Sequence, residues 1–223
     1  MKALKVKLYQ ETAVYRNPVT MEVIECFPLP PPSTVLGFLH NLIEARQTIP
    51  GIDLSIQGTY ESLMRDYQWY KKKKVERGKS TAKNYPIVVN ALNGVNLTIH
   101  IRADDKVLEK LHDASLSPPY FMHLGRAEDI VKFEELKFVK VEPKEVEEIK
   151  TPAYIPSDVA KRFELTGILY RLPTYYEFRE ISIGKETRKV REFKWKDFYY
   201  VEGGEVGEEI ELLQDEEGDL IWW

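Results

Sequence analysis

In residues 4–9 the apolar Leu4, Val6 and Leu8 alternate with Lys5 and Lys7, a period of two that predicts a half-buried strand. Residues 10–32 form a long connection ending in Phe27-Pro28-Leu29-Pro30-Pro31-Pro32. Connections above about 12–15 residues are usually functional or mobile. A helix is expected next, capped by Ser33 or Thr34. Val35, Leu36, Phe38, Leu39, Leu42 and Ile43 share one face at helical spacing, and three prolines forbid its extension backwards. It fades near Arg46, before Pro50-Gly51.

Residues 52–70 are β-branched and aromatic and predict a strand broken at Gly58. A second strand is expected over residues 86–102. Between them, residues 71–83 hold Gly78, Ser80 and little that could enter a core. The economical reading is a projecting hairpin with a basic tip. Asp104 or Asp105 should cap a short helix carrying Val107, Leu108 and Leu111, followed by a strand at 136–141. The order β-α-β-β-α-β predicts an α+β, ferredoxin-like (RRM-like) domain. In many RNA-binding domains its antiparallel sheet leaves one face open to nucleotides. After residue 150, aromatic segments at 162–172, 175–183 and 188–201 predict an added antiparallel module. The expected division is residues 1–145, with the hairpin near 65–90, and a β-rich C-terminal extension over 146–223 with an acidic tail.

Composition narrows the class. At 223 residues, with 43% hydrophobic and 30% charged side chains, the chain can bury a real core. One cysteine, Cys26, excludes an internal disulfide framework and a cysteine-based zinc site. No signal-peptide block and no apolar run near the roughly 20 residues of a membrane span occurs, so a cytoplasmic protein is expected. The net charge of −4 hides a division. Arg65, Lys71, Lys72, Lys73, Lys74, Arg77, Lys79 and Lys83 face only Asp66 and Glu76 within residues 65–83. Residues 202–219 carry nine acidic side chains and no basic one. Such opposite patches suggest a polyanion at one end and a different surface, a basic protein for instance, at the other. A solvated acidic terminus is the plainer alternative.

Motifs for phosphate-binding loops, dinucleotide binding, zinc proteolysis and nucleophile elbows are absent. His40, His100, His112 and His123 lie in different elements without metal-ligand spacing, so no metal or other cofactor is expected. Three segments carry positive signals. The lysine run is flanked by Trp69, Tyr70 and Tyr85, and basic residues interleaved with rings suit single-stranded RNA. Pro30-Pro31-Pro32-Ser33-Thr34-x-x-Gly37 presents a helix N-terminus able to hold an anion. Gly37, which costs about 1 kcal/mol against Ala, suggests close backbone approach there, or packing on a strand. Leu124-Gly125-Arg126 offers a fork for phosphate, unless Arg126 pairs with Glu128 or Asp129.

Taken together, Tyr15-Arg16-Asn17-Pro18, the Pro30–Leu39 element and Leu124-Gly125-Arg126-Ala127-Glu128-Asp129 resemble the Cas-five family of CRISPR-associated proteins, within the RAMP superfamily. The resemblance covers residues 1–141 and is nearest to subtypes I-B and I-A. It implies a ferredoxin-like domain with a protruding thumb hairpin. It also implies a non-catalytic role in a type I surveillance (Cascade) complex for antiviral defence. There the subunit grips the 5′ handle of the CRISPR guide RNA (crRNA) and meets the backbone and large subunits, with target DNA a further partner within the complex. On this resemblance the thumb comprises Lys71, Lys72, Lys73, Lys74, Arg77, Lys79 and Lys83. The handle cradle comprises Arg16, Ser33, Thr34, Gly37 and Arg126. One branch of the family cleaves precursor guide RNA without metal, through a Tyr, a Lys and a His. The segment 35–46 has no tyrosine, and no Lys-His pair is adjacent in the chain, so no catalytic residue is assigned. His123 keeps a metal-independent endoribonuclease as one alternative; a protein-only scaffold is the other.

Overall fold

The computed structural model describes residues 1–20, 23–76, 79–183 and 186–223, with the side chains of 72–81, 183–186 and 207–209 outside that description. It is an α+β chain dominated by one sheet of eleven strands. In chain order these are β1 (Lys2–Ala13), β2 (Val23–Ile24), α1 (Pro32–Leu42), β3 (Asp53–Thr59), β4 (Ser62–Glu76), β5 (Lys79–Arg102) and α2 (Asp105–Leu116). β6 (Lys132–Ile149), β7 (Ala153–Pro156), α3 (Ser157–Arg162), β8 (Ile168–Ile183), β9 (Glu186–Val201), β10 (Gly204–Asp215) and β11 (Leu220–Ile221) complete it.

The sheet runs β11-β10-β6-β1-β5-β3-β7-β9-β8, with β2 and β4 also paired to β5. All these pairings are antiparallel except β2 on β5. The alternation of the first strand does what its period requires. Leu4, Val6 and Leu8 join Ile56, Leu97, Ile99 and Ile101 in a core closed by Val35, Phe38, Leu39 and Leu42 of α1 and Leu108 and Leu111 of α2.

The opposite face is not open at its centre. Lys5, Ser55 and His100 are fully buried there. Asp215 at the end of β10 lies against Lys5 and His100, and the Trp222 backbone N–H donates to Ser55 Oγ at 3.0 Å. The acidic C-terminal run is therefore largely a strand paired with β6 rather than a solvated tail. Its Asp215, Glu217 and Asp219 converge on the Lys5 ammonium, because a buried cation must be paired. Sequence reading could not see this pairing, whose partners stand 210 and more positions apart.

Local departures have local causes. α1 starts two or three residues earlier than expected, at Pro32, with Pro31 as its N-cap and no side-chain capping bond from Ser33 or Thr34. Proline is well suited to a first turn, where its missing N–H costs nothing. β3 does not break at Gly58; the missing Cβ there would sit 2.3 Å from the Asn96 carbonyl oxygen, so glycine lets the strand continue. The break comes at Tyr60–Glu61 instead. β6 runs unbroken through residues 145 and 146.

Candidate nucleic-acid interface

The expected hairpin is β4 with β5, in register from Ser62 opposite Asn93 to Glu76 opposite Lys79. β1 accompanies β5 as far as Leu92, and β2 lies beside Val88 and Val89. Beyond those, β4 and β5 have only each other among the described residues. Nine residues from Gln68 to Glu76 at roughly 3.3 Å each give an arm of about 30 Å.

Residues directly opposite in an antiparallel pair share a face, which divides the arm. On one face Gln68 and Asp66 lie over Ile87 and Val89. These belong to a small core with Val14, Ile24 and Ala91. Tyr70 and Tyr85 face each other there, with ring centroids 6.0 Å apart. The other face carries Arg65, Tyr67, Trp69 and Lys71 in succession. Tyr67 and Trp69 are 77% and 76% exposed, and Arg65 and Lys71 are also exposed. Two rings between two cations on the free side of a projecting ladder make a platform for bases and phosphates. Sequence reasoning picked out Trp69, Tyr70 and Tyr85 but missed Tyr67. The signal was available in the period of two from Arg65 to Lys71.

Among the expected thumb residues, Lys71 and Lys83 are exposed and form no ion pair among the described residues. Lys72, Lys73, Lys74 and Lys79 lie in the paired strands, but their side chains fall outside the described set. Arg77 lies outside the described residues altogether.

The expected cradle divides. Arg16 is exposed and forms an isolated bridge with Cys26; burial pushes the Cys26 thiol up to about 12. Ser33 and Thr34 are half-buried on the first turn of α1. Gly37 is exposed, and a Cβ there would touch nothing within 4 Å. Packing against a strand therefore does not explain this glycine.

Arg126 has a different occupation. Its guanidinium donates to Asp129 Oδ1 at 2.9 Å and to Gln68 Oε1 of β4 at 3.2 Å, and lies 3.3 Å from Glu128. Burial opposes its charge, yet the bonds to Asp129 hold its pKa above the ordinary value. Asp129 is fully buried and also accepts from the Val14 and Arg126 backbone N–H groups at 3.0 and 2.8 Å. Gly125 has φ +112°, and a Cβ there would lie 2.7 Å from Asp129 Oδ2. Gln10 closes the loop, its amide donating to the Leu124 and Asp129 carbonyls while the Tyr15 hydroxyl donates to its oxygen. The segment is a clasp that fixes the arm to the end of β1. Sequence reasoning missed Gln10 and Gln68, which carry no motif, and weighed Asp129 only as a partner for Arg126.

His100, Asp215 and Asp219 have ligand geometry for a cation, but the Lys5 ammonium lies among those carboxylates and fills that role. His40 is held between the Leu36 carbonyl and the Ile49 N–H. His112 stacks on Phe138 at 5.1 Å. Among the described residues no helix is long and apolar enough to cross a membrane.

The sequence pattern of the family CRISPR-associated protein (Cas_Cas5) matches residues 3–197. The chain belongs to this family. No curated protein matches it. Among solved structures, a chain of a "CRISPR RNA-guided surveillance complex" is similar at TM-score 0.56 and 11% identity, covering 92% of this chain and 90% of that one. A CRISPR protein from Archaeoglobus fulgidus covers 99% and 98% at 13% identity and TM-score 0.48. A chain of the Type III-B Cmr-beta complex bound to cognate target RNA and AMPPnP covers 92% and 86%, at 12% identity and TM-score 0.47. At such identities the first likeness concerns the fold alone.

Proposed function

We propose that this Cas5 protein is an RNA-binding subunit of a type I CRISPR surveillance complex. It grips the 5′ handle of the guide RNA without cleaving it and meets the backbone and large subunits. The observation that carries the reading is the exposed Arg65-Tyr67-Trp69-Lys71 face of the β4–β5 arm. Rings there offer stacking, worth about 1–3 kcal/mol per base. The flanking cations and the lysine run beyond neutralise phosphates. Gly37 supports a second contact. A helix glycine whose added Cβ would meet nothing within 4 Å among the described residues leaves room for an RNA backbone beside Ser33 and Thr34. In this reading Arg126 is a positioning residue, since it holds the arm through Gln68.

The ferredoxin-like reading of the domain belongs to the same proposal. Its support is the antiparallel order β6-β1-β5-β3, with α1 between β1 and β3 and α2 between β5 and β6. Division near residue 145 is proposed in the weaker sense of two packing clusters, since β6 serves both. A non-catalytic role is supported by the commitments of His40, His100 and His112 to neighbours within the fold; His123, whose Nδ1 is buried without a partner among the described residues, is the residue the endoribonuclease alternative would use.

The test is binding of the purified chain to a labelled repeat-derived RNA in EDTA, with the same samples run on a denaturing gel. Bound, intact RNA is expected. Cleaved RNA would replace this reading with a metal-independent endoribonuclease, and no binding at low salt would remove the arm as an RNA site.

A further inference from the structure

A second arm leaves the far end of the sheet. β8 and β9 are in register from Ile168 opposite Tyr200 to Ile183 opposite Glu186. β7 pairs β9 only over Phe198–Val201, so among the described residues the outer three-quarters of this hairpin has no third strand. Through Gln57 opposite Ala153 and Ala153 opposite Val201, β9 runs back towards the end of the sheet from which the β4–β5 arm departs. Its own tip therefore points the opposite way.

The two faces of this arm differ in chemistry. One carries Tyr175 with Lys194, Glu177 with Glu192, and Arg179 with Val190. Its charges satisfy each other, Lys194 with Glu177 at 3.0 Å and Arg179 with Glu192 at 3.5 Å. The other face pairs Tyr176 with Phe193 and Phe178 with Arg191. Tyr176 meets Phe178 and Phe193 edge-on at 5.4 and 5.8 Å, and the Arg191 guanidinium lies 4.8 Å from its ring centre. Phe178 remains 61% exposed. On this face Lys189, which stands opposite Glu180, and Arg191 are exposed and have no ion pair among the described residues, whereas Lys196 alternates onto the face of Lys194 and Glu192. The inner end of the arm borders a groove of about 710 Å³, where Tyr176, Phe178 and Lys196 meet Leu36, Ile52 and Trp222.

Isolated two-stranded hairpins are marginally stable, and an apolar strip on one gains from being covered. An apolar protein surface would leave Arg191 without counter-charge and Lys189 with only Glu180 across the ladder. Single-stranded nucleic acid supplies both planar rings and anions. The geometry points to the β8–β9 arm as a second site for single-stranded nucleic acid. Bases stack on Phe178 and Phe193, phosphates meet Lys189 and Arg191, and the strand passes towards the groove. This site shares no residue with the β4–β5 arm.

The experiment crosslinks the full-length chain at low salt to RNA and DNA 20-mers substituted with photoreactive thiopyrimidines, and maps the attached peptides. Crosslinks within Tyr176–Lys196 are expected, persisting when Lys71 to Lys74 are replaced by alanine. Phe178→Ala should reduce the crosslink yield at this arm about fivefold or more, as the loss of one stacked base implies. Its exposed ring makes unfolding an unsuitable explanation, and circular dichroism checks that. The charge reversals Lys189→Glu and Arg191→Glu should reduce the yield likewise. Crosslinks confined to residues 65–83 would overturn the second site and leave the first standing; none at either arm would overturn both. If the 178, 189 and 191 variants lose a co-assembled protein subunit while crosslinking is unchanged, the face is a protein dock and the proposal fails. RNA against DNA yield tells which strand it takes.

Discussion

Arg126 and Gln68, 58 positions apart in the chain, meet through a 3.2 Å hydrogen bond from the guanidinium to the amide oxygen. That bond ties the Leu124–Asp129 loop to the root of the β4–β5 arm. Asp129 supplies the other half of the clasp by holding both the Arg126 side chain and the Val14 N–H.

Asp129→Ala should cost about 3–5 kcal/mol, because it strands a half-buried guanidinium and two backbone donors. Chemical denaturation with urea measures it. A loss below about 1 kcal/mol would mean that the clasp is not structural. Arg126→Lys should retain most of the fold but loosen the arm, seen as faster amide exchange in residues 62–71.

Trp69→Ala and Tyr67→Ala should leave the melting temperature unchanged, since both rings are exposed. Each should weaken binding of repeat-derived RNA by about 1–3 kcal/mol in anisotropy titrations. Unaltered affinity in both variants would remove the platform.

Replacing Lys71 to Lys74 with alanine should flatten the dependence of log affinity on log salt by up to about 3, at roughly 0.7 per single-stranded phosphate released. A slope equal to that of the unmodified chain would mean that the thumb lysines do not meet phosphates.

Gly37→Ala should stabilise the isolated chain by up to about 1 kcal/mol, as a helix interior gains from alanine and the new methyl meets nothing. Gly37→Leu should in addition reduce RNA affinity by obstructing approach along α1. A bulky residue that leaves affinity intact would place RNA elsewhere.

The Lys5 cluster sets the dependence on pH. Burial opposes the Lys5 charge, but bonds to Asp215, Asp219 and Glu217 outweigh it and raise its pKa. Its contribution is thus complete below about pH 10 and lost only as pH climbs through the raised value. Burial opposes ionisation of Asp215, yet His100 and Lys5 lower its pKa, and Lys137 and Lys5 bring Glu217 down to about 2. Their contributions are complete above about pH 5 and fall away as pH drops through about 2 and lower. Thermal melts should be flat between these limits. Lys5→Met should cost about 3–5 kcal/mol at neutral pH by leaving carboxylates unpaired. It should recover part of that loss on acidification, the reverse of the unmodified chain.

The strand β1, the helices α1 and α2 and the extended segments on either side of the lysine run were legible because they rest on local signals. These are a period of two, a period of 3.6, and prolines that forbid a longer helix. The face of the arm was half legible, since Trp69 stood out by type and Tyr67 only by register. The role of Arg126 was not decidable from its neighbours in sequence, because Asp129 and Gln68 compete with phosphate for the same fork.

By itself the sequence determined the separation of basic and acidic runs, the alternation that builds β1 and β5, and the elements that mark the Cas5 family. Tertiary structure decided which carboxylates meet Lys5, which face of each arm is free, and that the centre of the sheet is covered rather than open. Those outcomes depend on pairing between residues far apart in the chain, such as Lys5 with Asp215 and Ser55 with Trp222. A buried charge or N–H will take whichever partner the fold delivers, and only the closed sheet determines which one that is.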